Sequence, residues 1–349
     1  MRDGSPDQLL LAWYDRHART MPWRVSPQDK AKGIRPNPYH VWLSEVMLQQ
    51  TTVAAVRAYF LKFIALWPSV TDLAQARDAD VMAAWAGLGY YARARNLLAC
   101  ARVVADDLGG AFPETYADLL KLPGVGPYTA AAIASIAFEE SAVVVDGNVE
   151  RVMSRLFAVQ EPLPKAKSAL TGLAASLTPK QRPGDYAQAV MDLGATICTP
   201  RSPQCLICPL NGGCRASASG NPTDFPVKAP KSEKPTRLGR LWIVQSGESI
   251  LIEQRPAKGL LGGMPGFPGD GWDGAGGEAP VSANWRSIGE VRHTFTHFHL
   301  ILSLSFAQLP LGVNPDRGEF VPLSQFQPDS LPTVMKKAWT LAFKGPARN

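Results

Sequence analysis

A mainly α-helical N-terminal region followed by a smaller α+β domain is the architecture this sequence predicts, and three observations predict it. Apolar residues recur at three- and four-residue spacing through most of residues 9–197, the period of helices that bury one face or all of themselves. Residues 216–235 then lose periodicity and turn to Ser, Gly, Asn, Pro and Lys, the composition of an interdomain linker. Beyond them the pattern alternates as strands do at residues 240–245, 249–254, 291–299 and 300–306, and a last helical stretch covers 333–343. A length of 349 residues leaves room for two or three cores.

Composition narrows the partners. A net charge of +6 and a pI near 9.1 favour a polyanionic partner over an acidic-substrate pocket. The start of the chain, residues 1–8, is polar, and no uncharged apolar run reaches the roughly 18 residues of a membrane span, so a soluble cytoplasmic protein with no membrane partner is expected. Five cysteines, four of them between Cys198 and Cys214, do not read as a secreted disulfide framework.

In chain order, Leu9, Leu10, Leu11, Trp13 and Tyr14 predict a short helix stopped by Pro22, and the breaker-rich, basic residues 25–38 a loop. One long helical pattern is expected over residues 39–63, with Val46, Val53, Val56, Phe60 and Phe63 as its core stripe and Glu45 beside it. An ordinary glutamate is protonated about once in 500 at pH 7, whereas a shift to about 6 by apolar neighbours gives roughly one in ten, enough for a general acid. Gln49, Gln50 and Thr51 are uncharged hydrogen-bonders after that glutamate. Residues 87–95 interleave two glycines, Tyr90 and Tyr91, and two arginines, a combination suited to stacking on bases and holding phosphates. Cys100 sits in an apolar helical pattern and is expected to be a buried, inert thiol.

The centre of the chain is Leu122-Pro-Gly-Val-Gly-Pro-Tyr-Thr129, an Ala/Ile-rich helix from Thr129 to Phe138, and Val143-Val-Val-Asp-Gly-Asn148. Gly124 and Gly126 before a helix free backbone N–H groups for an anion such as a phosphate. Asp146 leaves an apolar segment where an unpaired carboxylate is costly, which marks it as functional. A helix over 149–157 carrying Arg151 and Arg155 follows, then two helices within 164–197, with Tyr186, Gln188 and Asp192 on the second. Cys198-x6-Cys205-x2-Cys208-x5-Cys214 gathers four thiols within 17 residues. That spacing predicts a metal centre, and alone it leaves zinc and iron–sulfur both open.

These motifs resemble, in order and over essentially the full chain, the helix-hairpin-helix base-excision DNA glycosylases, and within them the MutY-type adenine glycosylases more than the endonuclease III branch. Where the latter places a lysine nucleophile, this chain has Tyr128, which cannot form a Schiff base. The resemblance implies a helix-hairpin-helix glycosylase fold with a [4Fe-4S] cluster held by Cys198, Cys205, Cys208 and Cys214, and a C-terminal MutT/Nudix-like domain. The boundaries it implies are a catalytic region at 1–220 (a six-helix barrel module at about 30–137, a cluster module from 1–29 and 138–220), a linker at 221–236 and a recognition domain at 237–345. It further implies Glu45 as general acid, Asp146 as the group stabilising or attacking the sugar cation, and Tyr128 and Asn148 as positioning groups. Arg24, Gln49, Gln50, Thr51, Tyr90, Leu122, Gly124, Val125, Gly126 and Gln188 would meet DNA or the flipped base, and Arg201, Lys180 and Arg215 nearby phosphates. Phe295-Thr-His297 resembles the turn that reads an oxidised guanine.

The implied activity is hydrolysis of the N-glycosidic bond of adenine opposite 8-oxoguanine or guanine in double-stranded DNA, by a monomer. A noncatalytic lesion-binding protein is opposed by the intact Glu45 and Asp146, and a bifunctional lyase by Tyr128. A nucleotide pyrophosphatase needs a glutamate-rich helix after Gly266-Phe-Pro268, where this chain has Gly269, Asp270, Gly271, Trp272 and Asp273. His293, His297 and His299 alternate as a strand face would, but no acidic partner accompanies them, so no metal is expected there.

Overall fold

The computed structural model of the chain describes residues 4–230, 233–256, 259–272 and 276–343; Asp273 of the stretch above lies outside them. The chain divides into two compact units, Met1–Pro230 and Lys231–Asn349.

The first unit is helical: α1 Pro6–His17, α2 Pro27–Ala31, α3 Pro38–Leu48, α4 Val53–Leu66, α5 Val70–Gln75, α6 Asp78–Trp85, α7 Tyr91–Asp106, α8 Tyr116–Leu119, α9 Pro127–Phe138, α10 Gly147–Phe157, α11 Lys167–Leu177, α12 Pro183–Thr196 and α13 Arg215–Ala218. The single long helix expected over 39–63 is two helices. Gln50 takes a left-handed φ of 59°, and Thr52 caps the second helix by accepting a hydrogen bond from the Ala55 N–H, so the apolar stripe continues while the backbone turns between α3 and α4. The loop expected at 25–38 contains the short α2. Its Lys30 bridges Glu139, just past the end of α9, and Asp185 in the first turn of α12, fastening the loop to both.

Helix α9 is the hub of this core, buried from Thr129 through Ala137. Small side chains let neighbours approach its backbone. A Cβ on Gly184 would lie 2.3 Å from the Ser135 carbonyl oxygen, so α12 packs on α9 at glycine distance. The N-terminal part of the expected linker is no free tether. Phe225 is buried, its carbonyl accepts from Arg155 Nε at 3.1 Å, and the Leu163 N–H donates to the Val227 carbonyl, because an apolar side chain in the polar stretch finds the helical core.

The second unit is a mixed sheet with one long helix: β1 Thr236–Ser246, β2 Ser249–Gln254, β3 Pro265–Gly266, β4 Arg286–Thr294, β5 His299–Leu309, β6 Glu319–Pro322 and α14 Thr333–Phe343. The strand order is β3-β2-β1-β5-β4, with β6 also on β2; β1 and β5 run parallel from Thr236↔His299 to Ser246↔Leu309. Leu241, Ile243, Leu300, Leu302 and Leu304 of the sheet bury against Val334, Met335 and Ala338 of α14. The strand expected over 291–299 is instead the end of β4, a tight turn closed by the Phe295 N–H on the Phe298 carbonyl, and the start of β5. His293, His297 and His299 therefore lie on a strand, in a turn and on the next strand, and do not share one strand face. Among the described residues no helix lies between Pro268 and β4.

Replacing Gly184 by Ala forces α12 off α9. An overpacking cost of about 1–3 kcal/mol is expected, read in thermal unfolding as a melting temperature roughly 3–10 °C lower; an unchanged melting temperature would show that the α9–α12 contact yields without cost.

Candidate active site and cysteine loop

Three helices deliver the central groups. Glu45 comes from the buried face of α3, Tyr128 from the first turn of α9, and Asp146 from the residue that caps α10. All three line one cavity of about 780 Å³, together with Arg24, Gln49, Gln50, Thr51, Tyr90 and Asn148. Glu45 is 7% exposed, and burial pushes its carboxyl up to about 6; the negative charge of Asp146 pushes the same way, while the Tyr128 hydroxyl and the Arg24 charge oppose it. Tyr128 donates to Glu45 Oε2 at 2.7 Å, and its own ionisation is driven far upward by burial and by the two carboxylates. Asp146 Oδ1 accepts from the Val149 N–H and Oδ2 from Asn148 Nδ2, both at 2.7 Å, which fixes the carboxylate at the positive end of α10. The arrangement is a carboxyl poised to donate a proton facing a carboxylate poised to hold positive charge.

The remaining expectations divide. Gln50 and Tyr90 project from the loops beside the cavity; Tyr90 is 60% exposed with φ of 51°. Gln49 donates to Thr129 Oγ1 at 3.3 Å and so ties the end of α3 to α9. The N–H groups of Gly124 and Gly126 have no hydrogen-bond partner among the described residues, and Gly124 (φ 71°) packs against Asn96, where a Cβ would lie 2.6 Å from the Asn96 Cβ. Leu122 and Val125 are 5% and 6% exposed, and the Val125 N–H donates to the Leu122 carbonyl, so a contact of theirs with DNA falls to the backbone of the hairpin and not to the side chains. Gln188 is 2% exposed and donates to the Gly184 carbonyl one turn back, outside the residues that line the cavity. Met191 on the same helix does line it, a neighbour that no polar signal could have flagged. Arg24 lines the cavity with its guanidinium held on both oxygens of the buried Asp192, at 3.0 and 2.8 Å, and Arg19 binds the same carboxylate; it acts on Glu45 through its charge. In the second unit Thr296 and His297 are exposed at the turn between β4 and β5, and Phe295 is half-buried with its ring 5.0 Å from that of Phe298. Cys100 is fully buried, with its thiol pushed up to about 12 by burial.

The four clustered cysteines are partly exposed. Burial raises the Cys208 thiol to about 12, and the other three thiols add to that rise, so the four lie within electrostatic reach of one another. Among the described residues no three His, Cys, Asp or Glu side chains converge as a single ion would require. Arg155, 2% exposed, organises the loop: it donates to the carbonyls of Cys198, Thr199 and Pro200 at 3.2, 2.7 and 3.0 Å and to Cys198 Sγ at 3.3 Å. Arg151 donates to the Cys198 carbonyl at 2.8 Å and to Asn148 Oδ1 at 2.8 Å, joining the loop to the residue that holds Asp146. Arg155→Met is expected to give protein that loses most of its iron on purification, because the loop loses the guanidinium that binds the Cys198, Thr199 and Pro200 carbonyls; full iron content by metal analysis would mean the guanidinium does not anchor the loop.

Comparison with known proteins agrees with this geometry. Residues 43–174 match the HhH-GPD superfamily of base excision DNA repair proteins, residues 198–214 the iron-sulfur binding domain of endonuclease III, and residues 240–341 the NUDIX domain. The match over 198–214 assigns the four cysteines to a [4Fe-4S] cluster. The adenine DNA glycosylase of Homo sapiens is 37% identical over 397 residues, covering 95% of this chain and 72% of that protein. That of Buchnera aphidicola subsp. Baizongia pistaciae is 35% identical over 265 residues, covering 75% and 72%. The solved structure of a thermostable thymine-DNA glycosylase superposes with a TM-score of 0.54 at 31% identity, covering 61% of this chain and 95% of that one. With two poised carboxylates, no lysine after Gly126-Pro127, and relatives of this extent, the chain belongs to the adenine DNA glycosylase family.

Proposed function

We propose that the protein excises adenine paired with 8-oxoguanine, and more slowly with guanine, from double-stranded DNA, acting as a cytoplasmic monomer. The observation that carries the reading is the buried Glu45 carboxyl, raised to about 6 and hydrogen-bonded by Tyr128, in one cavity with Asp146. Extruding the adenine costs a few kcal/mol, less at a mispair. Glu45 then gives its proton to the departing purine, the glycosidic electron pair leaves with the base, and the Asp146 carboxylate stabilises the sugar cation until water adds. Tyr128 and Asn148 hold the two carboxyl groups, and with no amine at position 128 the reaction ends at base release. Cys198, Cys205, Cys208 and Cys214 would hold the [4Fe-4S] cluster, which would cross-link the loop that Arg151 and Arg155 of α10 bind. Unpartnered Gly124 and Gly126 N–H groups suit a DNA phosphate. In the second unit the exposed Thr296 hydroxyl and His297 imidazole, beside the Phe295 ring, suit the C8 oxygen and N7 hydrogen that distinguish 8-oxoguanine from guanine.

The reading is tested by single-turnover cleavage of duplexes with adenine opposite 8-oxoguanine, guanine or thymine. Release is expected in the order 8-oxoguanine, guanine, thymine. Thr296→Val narrows the first preference by roughly five- to thirtyfold, the worth of one hydrogen bond, and leaves adenine opposite guanine untouched. An unaltered preference in that variant would remove the turn from the reading.

The same assay has a pH signature. Glu45 must be protonated, so the rate falls about tenfold per unit as pH rises above about 6. Since the Tyr128 hydroxyl favours the ionised form, Tyr128→Phe raises the Glu45 pKa further and moves this limb to higher pH. A limb that stays in place or moves down contradicts the assignment.

A further inference from the structure

Two loops beside the cavity carry the side chains suited to enter a duplex, and both are held in backbone conformations that non-glycine residues rarely adopt. Gln50 (φ 59°) lies between α3 and α4, and Tyr90 (φ 51°) stands at the start of α7. Between them lies one side chain. Arg93, in the first turn of α7, donates through Nη1 to the carbonyls of Val46, Met47 and Gln49 at 3.0, 3.1 and 2.5 Å. Its Nη2 donates to Leu88 and Gly89 at 3.2 and 3.4 Å and to the Thr51 hydroxyl at 3.4 Å. One guanidinium thus closes the open carbonyl end of α3 and the tyrosine loop at once.

We propose that Arg93 is a positioning residue that joins the Gln50 loop and the Tyr90 loop into one rigid wedge, so that both side chains enter the duplex together and share the work of extruding the base. The proposal rests on the glycosylase reading above and adds the group that couples its two DNA-facing elements.

Three observations point to a clasp and not to simple helix capping. Arg93 Nε is buried with no hydrogen-bond partner, an orphan donor that a residue serving only to cap α3 has no reason to keep. A lysine would avoid that cost, yet a point charge on a single stem cannot span both loops as a planar fork does. The guanidinium also lies over the Trp85 and Tyr90 rings, 5.4 and 5.5 Å from their centres, and Trp85 Nε1 donates to the Gly89 carbonyl at 3.0 Å, so the exposed tyrosine is braced from below. Finally, the tyrosine loop passes against α4 at a point only glycine can occupy: Gly87 has φ of 103°, and a Cβ there would lie 2.2 Å from the Tyr59 hydroxyl.

The test compares single-turnover adenine release, per active site titrated, from a duplex mispair and from the same sequence with the adenine already unstacked in an unpaired loop. Wild-type protein and the Arg93→Lys and Arg93→Gln variants of the full chain are compared. If the clasp couples extrusion, both variants slow release from the duplex by about thirtyfold and from the loop by less than about threefold, and the position of the pH limb does not move. In wild type, Gln50→Ala and Tyr90→Ala combine non-additively on the duplex; in the Arg93→Lys background they add. Equal loss on both substrates makes Arg93 a structural residue only and overturns the proposal, as does full duplex activity in either variant. Since rates are taken per active site, partial misfolding does not change the ratio. Wild-type protein inactive on both substrates overturns the glycosylase reading itself, and the wedge with it.

Discussion

One carboxyl is buried where it resists ionising, and a second carboxylate is held in the same cavity. Glu45 gains nothing for stability by being there, since a glutamate raised to about 6 is destabilising whenever it is charged. The sign is definite: the penalty is absent below the ordinary glutamate pKa and grows as pH rises toward 6. The fold tolerates that cost because α3, α9 and α12 pack tightly around it. The alanine-rich surface of α9 and Gly184 of α12 remove the side-chain bulk that would otherwise hold these helices apart. Tyr128 then enters the gap as a long donor that reaches Glu45 without bringing a charge.

The cysteine loop belongs to the same construction. From Asp146 the hydrogen bonds run to Asn148, to Arg151 and to the Cys198 carbonyl, while Arg155, one turn further along α10, holds the carbonyls of Cys198, Thr199 and Pro200. Gly194 lets α12 approach closely here, since a Cβ would lie 2.6 Å from that of Asn148. Helix α10 therefore presents the Asp146 carboxylate at its start and holds the cysteine loop along its length, so one helix ties the two together.

Much of this was legible in the sequence, and the failures have physical reasons. The apolar α9, the carboxylate of Asp146 at the end of an apolar segment and the cysteine spacing are local signals that packing reinforces. Glu45 could be nominated through the resemblance of its signature, since apolar neighbours alone leave a solvated helix glutamate equally open. The rotation of α12 was not legible, since it turns Met191 to the cavity and leaves Gln188 buried on the Gly184 carbonyl. The break between α3 and α4 escaped the periodicity because the apolar stripe runs on through Val53 and Val56 while Gln50 turns the backbone. Asp192, the anchor for Arg19 and Arg24, gave no sign, since its partners lie more than 160 residues away in sequence.

The central claim is that burial, with the charge of Asp146 beside it, raises the Glu45 carboxyl to about 6, so that a usable fraction carries its proton near neutral pH. Titrating the Glu45 carboxyl directly, by carbon NMR of selectively labelled glutamate or by infrared difference spectroscopy, tests it in wild type and in Asp146→Asn. The account predicts a midpoint near 6 in wild type that falls when the Asp146 charge is removed. A midpoint at the ordinary glutamate value in both proteins would contradict it.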